Sequence, residues 1–298
     1  IMDHTNTIVS YEAYPELLPE STNFPFVGCH MSISKSFVSL LSQMKQLNAT
    51  ACAFFTSNPK GWATQIPSKA DTQQFIQNCV DLKIGRNQFL PHAPYIVNLC
   101  SDNPEVQEKA KKRFLFEVFL VRLLGLNTLN FHPGNSKDKK NGIKIIASCI
   151  NYVHEIVPDV VVVLETMAEC NSATTVGNSF EELKQIINLV KDQRRVGVCI
   201  DTQHTFAGGF VQEAKFGEDL LQKFDQEIGA EFLKGFHVNG SKTAWKSGND
   251  RHESLGKGYL DMCQLKLLLS QKRKVVYVLE TPDGEQYAKE IQMLKEML

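Results

Sequence analysis

The sequence predicts one α/β domain, a (β/α)8 TIM barrel over residues 24–298 preceded by an extension over residues 1–23. Three observations carry that expectation. Eight short apolar runs recur along the chain, and they are continuously apolar, as strands buried on both faces of a parallel sheet must be. A helical pattern follows each run, which supplies the crossover that parallel neighbours need. The first run leads into "HMSISKS" and not into the glycine-rich turn that usually follows the first strand of an open doubly wound sheet.

The elements follow in order. "FPFVGCH" (24–30) is the first strand, and over 33–48 the residues Phe37, Val38, Leu40, Leu41, Met44 and Leu47 recur at helical spacing. "ACAFFT" (51–56) and "NQFLPH" (87–92) are the second and third strands. Asn103-Pro104-Glu105 reads as a cap followed by proline at the first helical position, and that helix runs through Phe114, Leu115, Val118 and Phe119 to a stop at Gly125. "TLNFHP" (128–133) and "VVVLE" (161–165) come next, then Ser179 and Glu182 as a capping box ahead of Leu183, Ile186 and Ile187. "VGVCID" (196–201), "LKGFHV" (233–238) and "VVYVLE" (275–280) complete the eight, and a helix over roughly 284–298 closes the chain. Residues 1–23 have no place in the barrel, so an arm or a poorly ordered segment is expected there.

Hydrophobic residues make up 43% and charged residues 22%, ordinary for a globular domain with a sizeable core. A net charge of −1 from 32 basic and 33 acidic side chains does not announce a nucleic-acid partner, though local patches and bound cations set the field where a ligand docks. Lys109-Lys111-Lys112-Arg113 reads as a solvated helix face and Lys137-Asp138-Lys139-Lys140 as a charged loop. The 8 cysteines are scattered singly, without a C-x-x-C pair, and several, such as Cys52 and Cys199, lie in apolar settings. That points to an intracellular, reducing compartment and no disulfide framework. No apolar run approaches the ~18 residues of a membrane helix, and the acidic N-terminus lacks the basic and apolar regions of a secretory signal.

The strand ends carry the chemistry. They are His30, Thr56, His92, His132, Glu165, Asp201, His237 and Glu280, and in a parallel barrel all of them converge on one mouth. A lone histidine there is usually a hydrogen-bonded structural residue, and a lone glutamate usually pairs with a lysine. Here seven of the eight ends can titrate or bind metal, and none is lysine or arginine. Buried carboxylates at that density repel one another unless cations compensate them. Divalent metals would do so. Two loops add donors: "DTQH" adds His204, and "NGSKTAWKSGNDRHESLGKG" (239–258) adds Asp250 and His252. An Asp-x-His pair in an extended segment points both side chains the same way, and Gly248, Gly256 and Gly258 suit a tightly turning loop. His4, in the extension, and His154, on a helix face that reads as surface, fall outside the set.

The set is therefore His92, His132, Glu165, Asp201, His204, His237, Asp250, His252 and Glu280. Mixed imidazole and carboxylate donors favour Zn, Mn, Fe or Co over Mg or Ca. Nine donors are too many for one ion and divide among about three, with a carboxylate bridging. Clustered ions of this kind suit phosphoester hydrolysis.

At this point the chain resembles the endonuclease IV family of apurinic/apyrimidinic endonucleases over roughly residues 26–295. The resemblance is carried by "GCHMS" (28–32), "FLPHAPYIVNL" (89–99), "LNFHPG" (129–134), "VLET" (163–166), "GVCIDTQHTFAGG" (197–209), "GFHVN" (235–239), "DRHESLGKG" (250–258) and "VLETP" (278–282). It implies three Zn2+ ions, with Mn2+ as a substitute. One would be held by His92, His132 and Glu165, a second by Glu165, Asp201, His237 and Glu280, and a third by His204, Asp250 and His252. It implies hydrolysis of the phosphodiester 5′ to an abasic site in duplex DNA, leaving a 3′-hydroxyl and a 5′-deoxyribose phosphate, with trimming of blocked 3′ ends as a second activity. Glu165 and Glu280 would position the attacking hydroxide, and the third ion would stabilise the departing oxygen. The family's DNA-reading positions match Lys60 and Gly61 in "SNPKGW" and Tyr95 in "PHAPY", with Tyr95 as the wedge in the base stack and Trp62 as a packing anchor. Lys242, Lys246, Arg251 and Lys257 are phosphate-contact candidates. The chain departs from the family pattern at Gly61, at Gly240, where Asp is common, and at Thr166, where Asn is common. A monomer acting on DNA, with no membrane partner, is expected.

Two rivals bear on these residues. A sugar isomerase or epimerase on the same barrel would need one or two ions and would leave His204, Asp250 and His252 without a purpose. A damage-binding protein that had lost catalysis would not need the full ligand set.

Overall fold

In the computed structural model, which describes residues 14–33, 36–169 and 172–298, eight parallel strands close into a barrel. The strands are β1 (Phe26–Met31), β2 (Ala51–Phe55), β3 (Phe89–His92), β4 (Thr128–Phe131), β5 (Val161–Glu165), β6 (Val196–Asp201), β7 (Leu233–Val238) and, after a short antiparallel pair β8 (Gly240–Ser241) and β9 (His252–Glu253), β10 (Val276–Leu279). Their order around the barrel is β1-β10-β7-β6-β5-β4-β3-β2. The helices are α1 (Val38–Gln46), α2 (Lys69–Asp81), α3 (Pro104–Leu123), α4 (Lys139–Ile156), α5 (Phe180–Leu189), α6 (Thr202–Gly208), α7 (Phe216–Glu227), α8 (Met262–Ser270) and α9 (Tyr287–Met297). Among the described residues no helix is long and apolar enough to cross a membrane.

The core divides into two layers, as the period of a strand requires. Phe26, Ala51, Ala53, Leu90, Val163, Cys199, Val276 and Val278 fill the barrel interior. Their neighbours one residue along, such as Val27, Cys52, Phe89, Val162, Leu164, Val198 and Leu279, pack outward against the helices. Side chains alternate along a strand, so residues two further on share a face. Leu90 is in phase with His92, Val163 with Glu165, Cys199 with Asp201, and Val278 with Glu280. β3, β5, β6 and β10 thus carry apolar residues into the interior and deliver a polar one in the same phase at the mouth.

The helix ends match their sequence signals with one exception. Asn103 caps α3, its side chain accepting from the amides of Glu105 and Val106, and Gly125 just beyond α3 takes φ +70°. Ser179 caps α5 through the Glu182 amide, but the box does not close, because Glu182 accepts instead from the Gly177 amide at 2.9 Å and from Lys139.

Residues 14–23 run along the barrel floor, opposite the mouth. The Leu18 amide donates to Gly125 O at 2.8 Å, Arg86 Nη1 to Leu18 O at 2.7 Å and Arg122 Nη1 to Pro15 O at 2.6 Å. This stretch is tied down, not a free arm. Residues 1–13 of the expected extension, His4 among them, lie outside the described residues. Among the described cysteines all are free thiols, and six of the seven are buried. Burial pushes the Cys29 and Cys79 thiols up to about 12, so they pack as small hydrophobes.

Candidate metal centre

His92, Glu165 and Asp201 end their strands, while His132 and Glu280 stand one residue past β4 and β10. His237 lies one residue inside the end of β7. His204 is on α6 and not in a loop. Asp201 explains why, because its side chain caps that helix, Oδ1 accepting from the His204 amide at 2.9 Å. Asp250 and His252 point the same way, with Asp250 Oδ1 3.3 Å from His252 Nε2. Gly248, Gly256 and Gly258 around them all have positive φ, and a Cβ at Gly258 would lie 2.1 Å from Ser241 O.

The nine side chains form one connected cluster. His92, His132 and Glu165 offer donor atoms all within 4.8 Å of one another, as do Glu165, Asp201, His237 and Glu280, and Asp201, His204 and His252. Asp250 joins the last group, its Oδ2 3.3 Å from His204 Nε2. Glu165 is the hub. Its Oε2 lies 3.1 Å from His92 Nε2, and its Oε1 3.5 Å from His132, 3.3 Å from His204 and 3.3 Å from His237. Glu280 Oε2 lies 3.2 Å from His237 Nδ1. His30 belongs to none of these groups; its ring packs tilted against Phe55, with centroids 4.5 Å apart.

Neighbouring groups fix the orientation of these donors. A carbonyl only accepts, so Nδ1 carries the proton in His92 (2.6 Å to Ala93 O), His204 (2.8 Å to Thr166 O) and His252 (3.1 Å to Glu280 O). Nε2 in each then faces the centre, as in metal-binding histidines. Asn130 Nδ2 donates to Glu165 Oε2 at 2.5 Å, and Asn239 Nδ2 to Asp201 Oδ2 at 2.8 Å while its Oδ1 accepts the Glu280 amide. Both asparagines escaped the sequence reading. The signal was available: each is two residues from a strand-end histidine and therefore in phase with it. Thr166 takes part as well, its hydroxyl accepting the Asp201 amide at 3.0 Å. Gly240 pairs with Glu253, and a Cβ there would lie 2.7 Å from Ser254 O.

The electrostatics call for cations. The ion pairs of Glu165, Asp201, Asp250 and Glu280 are all with histidines. Burial works to raise the Glu165 carboxyl, but His237 and His132 hold it well below the usual range. Glu280 is held down mainly by His237 against the same burial. Burial opposes the proton on all three rings, yet Asp201 and Asp250 push His252 up to about 9 and His204 well up, and Glu280 and Glu165 push His237 well up. In the metal-free chain, protons on these rings do the compensating. Glu165 Oε1 and both ring nitrogens of His237 are buried without a hydrogen-bond partner. His204 Nε2 and His252 Nε2 face each other at 3.5 Å. Unpartnered donors converging in this way fit metal ions, with carboxylate and imidazole as the ligand chemistry.

Around the mouth, Tyr95 is 52% exposed, with its ring 5.3 Å from that of His132 and 5.7 Å from that of His92. Lys60 and Arg251 are exposed, and so are Lys242, Lys246 and Lys257 on the loop that carries Asp250 and His252. Gly61 is less exposed and turns the loop after β2 back toward Asn58. A cavity of about 1130 Å³ is lined by His30, Phe37, Phe55 and Thr56, and the Phe55 ring also packs edge-on to that of His92.

Three expectations are corrected. Trp62 is not an anchor for its loop, being 41% exposed. The anchor is Arg113, read from the sequence as part of a solvated face but in fact buried: it pairs with Glu117, also buried, and donates to Gly61 O at 2.8 Å and Ser57 Oγ at 2.5 Å. His154 is not on the surface. Both its ring nitrogens are shielded without a partner, and burial pulls its pKa down to about 4.

Comparison with known proteins places this site in context. Residues 41–297 match the family described as xylose isomerase-like TIM barrel. The chain is 36% identical over 292 residues to an "Endonuclease 4 homolog" of Dictyostelium discoideum, covering 96% of this chain and 53% of that protein. It is 33% identical over 278 residues to a "Probable endonuclease 4" of Chlorobium phaeobacteroides, covering 91% of this chain and 96% of that one. The chain spans about half the length of the first curated relatives it matches. In three dimensions it is similar to the crystal structure of endonuclease IV from Thermus thermophilus, with a TM-score of 0.79 at 24% identity, covering 92% of this chain and 98% of that one.

Proposed function

The chain belongs to the endonuclease IV family, and from that premise we propose that it is a metal-dependent endonuclease hydrolysing the phosphodiester 5′ to an abasic site in duplex DNA. The products are a 3′-hydroxyl and a 5′-deoxyribose phosphate, with trimming of blocked 3′ ends by the same chemistry. The observation that carries the reading is the third donor group. His204, Asp250 and His252 extend the cluster beyond what one or two ions need, which a sugar isomerase on this barrel would not require.

Zn2+ is the ion that best suits the donors, with about three per chain and Mn2+ able to substitute. His92, His132 and Glu165 would hold the first, Glu165, Asp201, His237 and Glu280 the second, and His204, Asp250 and His252 the third. When bound, such ions supply Lewis acidity at the phosphodiester and a low-pKa water. The protein's own groups do the rest. In the second donor group Glu280, whose side chain is 12% exposed while Glu165 and Asp201 are fully buried, is the carboxylate able to reach an incoming water. It orients that water and accepts its hydrogen bond, backed by Asn239 on its amide. Glu165 holds the donor groups in register through Asn130. Tyr95 fills the space left by the missing base, and Lys60, Gly61 and Arg251 line the path of the backbone. We read the active unit as a monomer working in a reducing, intracellular compartment.

The test is metal analysis of the purified chain with a nicking assay on a duplex bearing one abasic site. About three zinc ions per chain, with cleavage 5′ to the site, is the expected result. A protein holding one metal, converting sugars and leaving the duplex intact overturns the proposal.

A further inference from the structure

Among the described residues two buried carboxylates lie outside the donor set: Glu117, which pairs with Arg113, and Glu290, to which the chemistry assigns no part. Glu290, on α9, is only 2% exposed. It shares the inward face of that helix with Ile291 and Leu294. A buried carboxylate normally pairs with a cation, and this one does not. Its Oε1 accepts the Leu255 amide at 2.8 Å, and its Oε2 accepts the Thr281 hydroxyl at 2.5 Å.

The two partners belong to the two segments that complete the centre. Leu255 stands three residues past His252, on the loop that carries Asp250 and His252, and Thr281 directly follows Glu280. Those segments also meet through His252 Nδ1 and Glu280 O at 3.1 Å. Tyr287, on the same helix, adds its hydroxyl to Thr281 O at 3.2 Å. Glu280 has an independent hold through Asn239 on its amide. The chain around and beyond His252 is held on one side by the β8–β9 pair and the Tyr259 amide on Ser241 O, and Glu290 adds the link from Leu255 to the end of β10.

We propose that Glu290 is a positioning residue for the metal centre: it clamps the Asp250–His252 loop to the end of β10 and so sets the geometry of the donor group His204, Asp250 and His252. The proposal rests on the metal-centre reading above. Groups that orient metal ligands typically contribute 10–100-fold in affinity, and two hydrogen bonds from one buried carboxyl group to both segments place Glu290 in that class.

The test is Zn2+ competition against a chromophoric chelator, counting equivalents and their affinities. In Glu290→Ala one equivalent should weaken by roughly 10–100-fold while the others stay within about threefold. Glu290→Gln should retain the wild-type profile, because its amide oxygen still accepts the Leu255 amide and its NH2 can donate to the Thr281 oxygen. If Glu290→Ala fails to fold, Thr281→Val, which removes one of the two bonds, should weaken the same single equivalent. Uniform weakening of every equivalent, or none at all, overturns the proposal and marks Glu290 as a helix-docking residue. A wild-type chain that binds no zinc overturns the metal-centre reading itself, a separately recognisable result.

Discussion

Replacing Arg113 with Met tests how the mouth of the barrel is held. Arg113 and Glu117 are one helical turn apart on α3, and both are buried. The guanidinium spends its other donors on Gly61 O and Ser57 Oγ, and Ser57 Oγ also donates to Glu117 Oε1 at 2.5 Å. Arg113→Met leaves Glu117 buried and without its cation. Breaking a buried pair in this way costs about 3–5 kcal/mol, a large part of the roughly 5–15 kcal/mol that holds a typical domain folded. At about 2–4 °C per kcal/mol for a chain of this size, the midpoint should fall by roughly 6–20 °C. The double variant Arg113→Met/Glu117→Leu removes the stranded carboxyl group, and apolar replacement of a whole buried pair is often neutral or stabilising, so most of the loss should return. The loop after β2 stays untethered in both variants. The double variant should therefore melt near wild type yet show a raised KM for abasic duplex, with kcat little changed. Urea and thermal unfolding, with steady-state nicking, measure each part. A single variant within 1 kcal/mol of wild type refutes the energetic argument, and a double variant with a wild-type KM refutes the role of the tether.

Other outcomes follow from the same geometry. Glu280→Gln should lower cleavage by about 10²-fold or more while abasic-duplex binding largely survives, and full activity in a nicking assay would remove Glu280 from the reaction. Tyr95→Ala should reduce the preference for abasic over intact duplex; equal loss of both affinities in a binding titration would show that it does not read the lesion. Zinc uptake should strengthen as pH rises from 6 to about 9 and should release protons. The sign follows from His204, His237 and His252, which keep their protons above the usual histidine range in the metal-free chain, His252 up to about 9, whereas metal binding needs them neutral. Glu165, Asp250 and Glu280 are held low and already ionised there, so they contribute no opposing slope. Calorimetry in buffers of different ionisation enthalpy would contradict this if it found no proton release.

Much of the barrel and its donor set was legible in the sequence because both follow from strand periodicity. An apolar run of fixed phase that ends in His or Glu needs no tertiary information to be noticed. The less legible features depend on contacts between distant segments. Arg113 lies among lysines, and a cationic run usually faces solvent; only Glu117 four residues later hinted at a buried pair. Trp62 looked like an anchor because tryptophan usually packs, yet Arg113 already holds its loop. Glu290 stands one helical turn before Leu294, an acid on an apolar face, but nothing local says that it meets Leu255 and Thr281. The floor contacts of residues 14–23 likewise join segments about 70 to 110 positions apart.

The central claim is that nine side chains of the mouth hold three ions, and anomalous diffraction at the zinc edge from crystals grown with Zn2+ tests it most directly. The account predicts three peaks, each about 2.0–2.3 Å from its donor atoms, with one enclosed by His204, Asp250 and His252 and another shared through Glu165. A single peak, or none beside Asp250 and His252, would contradict it.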